Sequence, residues 1–461
     1  MKVNTKSVNS LVTYGGGKAS SIRPLEKLNR LVLSCLLFED TFYKSGVDIA
    51  TEIDELSRQV KKDEFIDLML KAKNEYYLRH VPLWMAVSLT KNFKGKEVGN
   101  AIFNVINRAD EIAEVIALYW KDGKCPISAQ LKKALARVFE QKFTEYNFAK
   151  YNRDYDIKLR DVMFLTHPKP TTVKREWLFK DIAQNSLDSA DTWENAISKC
   201  RASDEKRVQW ERLLSEKKLG SMALLRNLRN MKEARVDYTL IKSALENADY
   251  TKVFPFRFIA AAKNVPDFEP ILDSVMLDHL KNSQKLPGKT VIIVDVSGSM
   301  YGCSVSKNSD MNMALAACAV GAIGRELCEQ VSVYATAGND YTQVHKTELV
   351  PARHGMSLVD AIYSMCRPLG GGGIFLNQVC NFVKLQEENA DRTIVITDEQ
   401  DCSGERDSAN ANPLGKGYII NVSTYECGIG YGGKWEHIHG FSEAVFKYIL
   451  ESEKLFQVSN Q

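Results

Sequence analysis

No pair among the ten cysteines, at 35, 125, 200, 303, 318, 328, 366, 380, 402 and 427, has C-x-x-C spacing. That removes the usual sequence marks of a zinc knuckle or a redox dithiol, and buried free thiols are expected rather than disulfides or a zinc site. Long apolar runs are missing too. The longest charge-free helical stretch, residues 311–324, is too short and too rich in glycine and alanine to span a bilayer. The first twenty residues are polar, with Thr5, Ser7, Asn9 and Gly15 to Gly17, and contain no apolar core of the kind a secretory signal needs. No membrane association and a cytoplasmic location are the resulting expectations.

Catalytic signatures are lacking as well. A phosphotransferase of the DxDx type needs an acid where Ser297 stands, and Val296-Ser297-Gly298 does not complete the GxSxG elbow of a serine hydrolase. Gly15-Gly16-Gly17-Lys18 has neither the spacing nor the following hydroxyl of a Walker A loop. Gly428-x-Gly430-x-x-Gly433 is followed by Lys434-Trp435-Glu436-His437 with no evident helix, and reads as coincidence. His437 and His439, near Cys427, read as a strand or loop pair rather than zinc ligands. No enzyme is expected.

What is present is an ordinary globular balance, 26% charged and 44% hydrophobic residues over 461 positions, enough for two or three domains. The net charge of +3 conceals an asymmetry. Residues 286–461 hold 13 Lys and Arg against 20 Asp and Glu, net −7, which leaves 48 against 38, net +10, for residues 1–285. Glycine divides in the other direction, 8 before the cut and 19 after it. Two architectures, 1–285 and 286–461, are expected to join near Pro287-Gly288.

The first is helical. Val98, Ile102, Val105, Ala109, Ile112 and Ile116, then Ile127, Leu131, Leu135 and Val138 after Pro126, recur at helical spacing, and breaks at Lys94-Gly95, Gly123 and Pro168-Lys169-Pro170 suggest stacked helix pairs. No fixed-period repeat is evident. The second alternates strands (291–294, 331–335, 393–397, 418–423) with helices (311–329, from 357, 376–388, 442–450), the pattern of a doubly wound parallel sheet.

Two of those strands end in oxygen-bearing residues. Asp295-Val296-Ser297-Gly298-Ser299 offers a carboxylate and two hydroxyls, and Asp398 after the 393–397 strand offers a further carboxylate. Hard oxygen donors of this type suit Mg²⁺. The alternative is that Asp295 and the serines only cap a helix and tighten a turn. The pattern resembles the metal-ion-dependent adhesion site of von Willebrand factor A domains. In that family a threonine follows paired glycines in the middle loop; here the loop reads Leu369-Gly370-Gly371-Gly372-Gly373-Ile374-Phe375, with no hydroxyl, so occupancy by the ion stays open.

The basic half has two cationic stretches. Residues 142–175 carry eight Lys or Arg against four acids, interleaved with Tyr146, Phe148, Tyr151, Tyr155 and His167; residues 199–235 carry eleven against five. Cations beside aromatic rings can hold phosphates and stack unpaired bases, although solvated helix faces carry the same residues.

A wider resemblance rests on Leu28-Asn29-Arg30-Leu31 through Phe42-Tyr43, Lys150-Tyr151 with Leu165-Thr166-His167-Pro168-Lys169-Pro170, and Trp193-Glu194. It continues through Trp210-Glu211-Arg212-Leu213-Leu214, Leu224-Leu225-Arg226-Asn227-Leu228-Arg229-Asn230-Met231, Phe256-Arg257-Phe258 and Leu286-Pro287-Gly288 to Asp295-Val296-Ser297-Gly298-Ser299-Met300. On these residues the chain resembles the Ro autoantigen family, whose helical ring is the TROVE module. The resemblance implies a ring of HEAT-like helical repeats closed by a von Willebrand A domain. It further implies a monomeric, non-catalytic scaffold that binds small non-coding Y-like RNAs on its basic outer face and takes single-stranded 3′ ends of misfolded RNAs through its hole. A 3′ exoribonuclease is the implied protein partner. By position Lys150 and His167 match family residues of the Y RNA surface, Arg153 lies one residue from another, and Lys169 belongs to the same cluster. Arg226 and Arg229, three apart on one helix face, are candidates for the ring interior. The rival reading is a protein-ligand adhesion module acting through a divalent metal at Asp295, Ser297, Ser299 and Asp398.

Overall fold

The computed structural model describes residues 24–34, 46–152, 156–302, 311–403, 410–422, 434–439 and 445–459. Up to Lys281 the described chain is helical, and local chemistry sets where several helices start. Ser128, Thr144, Thr172 and Thr192 each accept a hydrogen bond from the backbone N–H three residues on, at Leu131, Asn147, Arg175 and Asn195. Each cap satisfies a donor that the first turn leaves without an intrahelical partner. Apolar spacing then decides which face is buried. In the Ala129–Gln141 helix that face carries Leu131, Ala134, Leu135 and Val138.

Helices pack on their neighbours but one. Lys62–Asn74 lies on Lys96–Val105, His80–Asn92 on Asp110–Tyr119, and Lys96–Val105 on Ala129–Gln141. Farther along, Ser203–Ser215 lies on Tyr238–Asn247 and Ser221–Glu233 on Phe256–Asn264. This is the packing of stacked helix pairs, in which each pair buries its apolar face against the next. One buried ion pair crosses the stack: Lys73 reaches Glu111 at 2.6 Å. Glu111 also accepts the backbone N–H groups of Asn107 and Arg108, so the buried carboxylate is fully bonded.

From Leu286 the architecture changes to six strands: β1 (Leu286–Asp295), β2 (Cys328–Asn339), β3 (Val344–Leu349), β4 (Arg392–Thr397), β5 (Lys416–Asn421) and β6 (Trp435–His439). Their order is β3-β2-β1-β4-β5-β6, and every pair is parallel except β2 with β3. Residues of β4 are buried on both faces, which is why it reads as an unalternated run. The Leu376–Gln386 helix covers the face bearing Val291, Ile293 and Val395, while the Met313–Glu326, Gly355–Tyr363 and Val445–Ser459 helices cover that of Ile292, Val294 and Ile396. Helices on both faces make the sheet doubly wound, as the alternation predicts. The sequence pattern does not reveal β3 or β6. β3 is an antiparallel edge strand in which Thr347 alone is buried, so no apolar run marks it.

Both ends of the helical array rest on the sheet unit. Pro24–Ser34 at one end touches β6 and the Val445–Ser459 helix, while Phe256–Asn264 and Glu269–Lys281 at the other touch Met313–Glu326, and Glu269–Lys281 also touches Gly355–Tyr363. Near the first seam Lys71 pairs with Glu451 at 2.6 Å and Lys447 donates to the Glu75 carbonyl at 3.0 Å. At the second, Asp273 accepts the Met356 N–H at 2.7 Å. The helical core and one sheet face therefore form one continuous apolar cluster.

The Met313–Glu326 helix, buried between sheet and helices, depends on small side chains. A Cβ at Gly321 would stand 2.7 Å from Val294 Cγ2. Gly321→Val overpacks this contact and is expected to cost about 1–3 kcal/mol, read as a lower midpoint in denaturant unfolding with unchanged far-ultraviolet dichroism of the folded baseline.

Candidate nucleic-acid interface and oxygen-lined crevice

The first cationic stretch is thinner in space than in sequence. Lys142 is half-buried and donates to the Phe103 carbonyl at 2.5 Å and the Asn104 carbonyl at 3.3 Å, so it serves the array itself. Phe148 is fully buried and stacks on Phe139, with ring centres 5.5 Å apart, which removes it from the rings available to a base. Tyr151 is half-buried beneath the Arg108 guanidinium, 4.7 Å from its ring centre. Arg153 and Tyr155 lie outside the described residues.

The remaining residues of the cluster reach the surface on consecutive helices. Lys150 lies in the last turn of Glu145–Tyr151, with its ammonium 5.5 Å from the Tyr151 ring centre, and Tyr146 is exposed. His167 ends the Leu159–Thr166 helix in the left-handed region (φ 49°), its N–H donating to the Met163 carbonyl. Its imidazole is exposed, as is Lys169 between Pro168 and Pro170. Thus His167 has a structural duty at the helix end and still presents its side chain to solvent.

In the second stretch several cations are engaged by acids. Arg212 grips both oxygens of Asp191 at 3.0 Å each and also meets Glu216, and Lys218 meets Asp191 at 2.8 Å. The Arg212 and then the Lys218 hydrogen bonds hold the Asp191 carboxyl well below the usual range. Arg226 and Arg229 project from the exposed face of Ser221–Glu233, opposite buried Leu224, Leu225 and Leu228. Arg229 also leans toward Glu233 at 3.8 Å.

The oxygen-bearing residues converge at the carboxyl ends of β1 and β4, which are neighbours at the point where strand order reverses. Crevices at such points are where open α/β sheets bind ligands. Asp295 is fully buried and accepts the Ser297 N–H at 2.8 Å and the Thr397 hydroxyl at 2.6 Å. The Ser297 and Ser299 hydroxyls stand 3.2 Å apart, and Ser299 hydrogen-bonds Asp398. All four residues singled out in the sequence therefore belong to one cluster. Burial, and then the neighbouring Asp398 charge, push the Asp295 carboxyl up to about 7. Two carboxylates desolvated together with hydroxyls beside them are a donor set that a small divalent cation fits.

The glycine loop packs directly against this turn. Gly298 N–H donates to the Gly372 carbonyl at 3.3 Å, and a Cβ at Gly298 would stand 2.6 Å from the Gly371 carbonyl oxygen. Sequence reading missed the pair beyond it. Glu399, fully buried and at φ 57°, binds the imidazole of His437 on β6. Its only signal was the second acid in Asp398-Glu399; the partner comes from a strand that the sequence does not mark. Gly428, Gly430, Gly433 and Cys427 lie outside the described residues.

Residues 183–356 match the family model of the TROVE domain, a span that crosses from the helical array into the sheet. The fold is similar to that in the crystal structure of the Deinococcus radiodurans Ro (RSR) protein, with a TM-score of 0.65 and 15% sequence identity over 92% of this chain and 98% of that one. Among curated proteins none matches.

Burial pushes the Lys142 ammonium down to about 8, against a nearby Glu111 charge that opposes the shift. The folded state thus disfavours the charged form, and this group's contribution to stability rises as pH increases from about 8 toward the unfolded value near 10.4. Lys142→Gln is expected to flatten that part of the stability-pH curve, measured by urea unfolding of both proteins at matched pH.

Proposed function

We propose that this chain, part of which matches the TROVE domain and whose fold is similar to that of a Ro protein, is an RNA-binding scaffold rather than a catalyst. The observation that carries the reading is the net-positive helical array, on which Lys150 is half-exposed and His167 and Lys169 are exposed at the ends of consecutive helices. Cations of this kind neutralise phosphates, and phosphate contacts position an RNA without reading its sequence. A small structured RNA of the Y type is the ligand proposed for this surface. Arg226 and Arg229 are proposed to receive a single-stranded 3′ end, as on a misfolded RNA. A 3′ exoribonuclease acting on such an end is the proposed protein partner.

The test is a titration of the full chain with a hairpin RNA bearing a single-stranded 3′ tail, beside the blunt hairpin, at two salt concentrations. The tailed RNA is expected to bind more tightly, and affinity for both to fall steeply with salt. Lys150→Ala and Lys169→Ala should each reduce the salt slope by about 1, while Arg226→Ala with Arg229→Ala should remove the preference for the tail. Absent binding, or binding that ignores salt, overturns the reading.

The crevice at β1 and β4 is proposed to hold one divalent cation, Mg²⁺ by its all-oxygen donors, through Asp295, Ser297, Ser299 and Asp398. When bound, such an ion would offset the two buried carboxylates and present positive charge to an acidic ligand. Calorimetric titration with MgCl₂ should give saturable heat that Asp295→Ala abolishes. An unchanged titration in that variant, or no heat in the parent protein, counts against the site.

A further inference from the structure

Of the rings interleaved with cations at 142–155, Tyr146 is exposed while Phe148 and Tyr151 are withdrawn, and two more rings lie open to solvent farther along the chain. Phe164 is 51% exposed and Trp177 64% exposed, on the Leu159–Thr166 and Val173–Gln184 helices, which pack against one another. All six tryptophans are among the described residues; Trp84, Trp210 and Trp435 are buried, Trp120 and Trp193 half-buried, and Trp177 alone is exposed. Neither ring serves the fold. The first helix buries Leu159, Val162 and Met163, and the second Leu178, Phe179 and Ile182, so Phe164 and Trp177 stand on the faces turned away from the core. Leaving a large aromatic in water forgoes burial that would stabilise the protein, and two such rings on helices that pack against one another mark a candidate interaction site.

Charge says which partner the surface fits. Each ring carries its own cation one turn away: the Arg160 guanidinium lies 5.6 Å from the Phe164 ring centre and the Lys180 ammonium 5.8 Å from that of Trp177. Over residues 158–184 there are six Lys or Arg and three acids. Two of those acids are occupied locally: Asp161 accepts the Lys158 N–H, and Asp181 accepts the Ser186 hydroxyl. The connection between the helices exposes His167 and Lys169. A flat ring with an adjacent cation is the unit that single-stranded nucleic acid recognises, the base stacking on the ring and its phosphate meeting the charge.

We propose that Phe164 and Trp177 are a stacking platform for unpaired bases of RNA, with Arg160 and Lys180 holding the adjoining phosphates. The proposal rests on the RNA-binding reading above and specifies its ligand: an unpaired segment rather than duplex, whose bases lie flat inside their own stack. Rings of this kind tolerate any base, so the platform adds affinity for single-stranded character with little sequence preference.

The experiment measures fluorescence anisotropy of a labelled, unstructured uridine 12-mer with the full chain and with Phe164→Ala, Trp177→Ala, Trp177→Phe and Lys169→Ala. Each alanine variant at a ring is expected to weaken binding roughly 5- to 150-fold while leaving the salt slope as in the parent protein. Trp177→Phe should keep most of the affinity, because a ring remains, and Lys169→Ala should reduce the slope instead. Intrinsic tryptophan emission should be quenched by the RNA in the parent and not in Trp177→Phe. Both rings are exposed, and thermal melts of each variant check that it is folded. Ring variants that bind as the parent does, while Lys169→Ala binds less, overturn the platform and leave RNA binding standing. A parent protein that shows no salt-dependent binding to any RNA overturns both, and the exposed rings then belong to a protein partner.

Discussion

A stack of helix pairs has two apolar ends, and an uncovered end is an invitation to aggregate. In this protein one α/β unit covers both. Pro24–Ser34 meets the Val445–Ser459 helix, and the last helices of the array meet Met313–Glu326 and Gly355–Tyr363. The consequence is a chain closed on itself, whose helical core runs without a break into one face of the sheet. Polar contacts such as Lys71 with Glu451 and Asp273 with the Met356 N–H lie at the seams, where they fix register more than they add stability.

Closure explains why the most buried helix is also the one with the smallest side chains. Met313–Glu326 lies against the sheet and against the end of the array together, and Gly321 and Ala317 leave room for both. It also leaves the other sheet face, covered by Leu376–Gln386, as a smaller separate core. Asp295 and Asp398, at the ends of β1 and β4, are both buried, and that burial raises both carboxyls above their ordinary range.

Charge is segregated along the same division. Acidic groups gather in the sheet unit, where Asp295, Asp398 and Glu399 are all fully buried. Cations dominate the array, but many of them are committed to it: Lys142 to helix-end carbonyls, Lys73 to Glu111, Arg212 and Lys218 to Asp191. Others reach solvent, among them Lys169 and Lys180, on the part of the array where Phe164 and Trp177 are also exposed.

Read alone, the sequence determined the helical and α/β halves, the parallel central strands and the cluster of Asp295, Ser297, Ser299 and Asp398, because each is written in local periodicity or in residues that end a strand. The polar strand β3 and short β6 escaped it, since an edge strand needs few apolar residues and pairing partners are distant in sequence. Exposure was decided only in three dimensions. Phe148 and Trp177 look equivalent in a list of aromatics flanked by cations, yet one packs on Phe139 and the other faces water. The reason is geometric: a helical residue turns through about 100° from its neighbour, and which side becomes core depends on where the next helix lies. The same holds for Glu399, whose histidine partner is brought to it by the order of strands in the sheet.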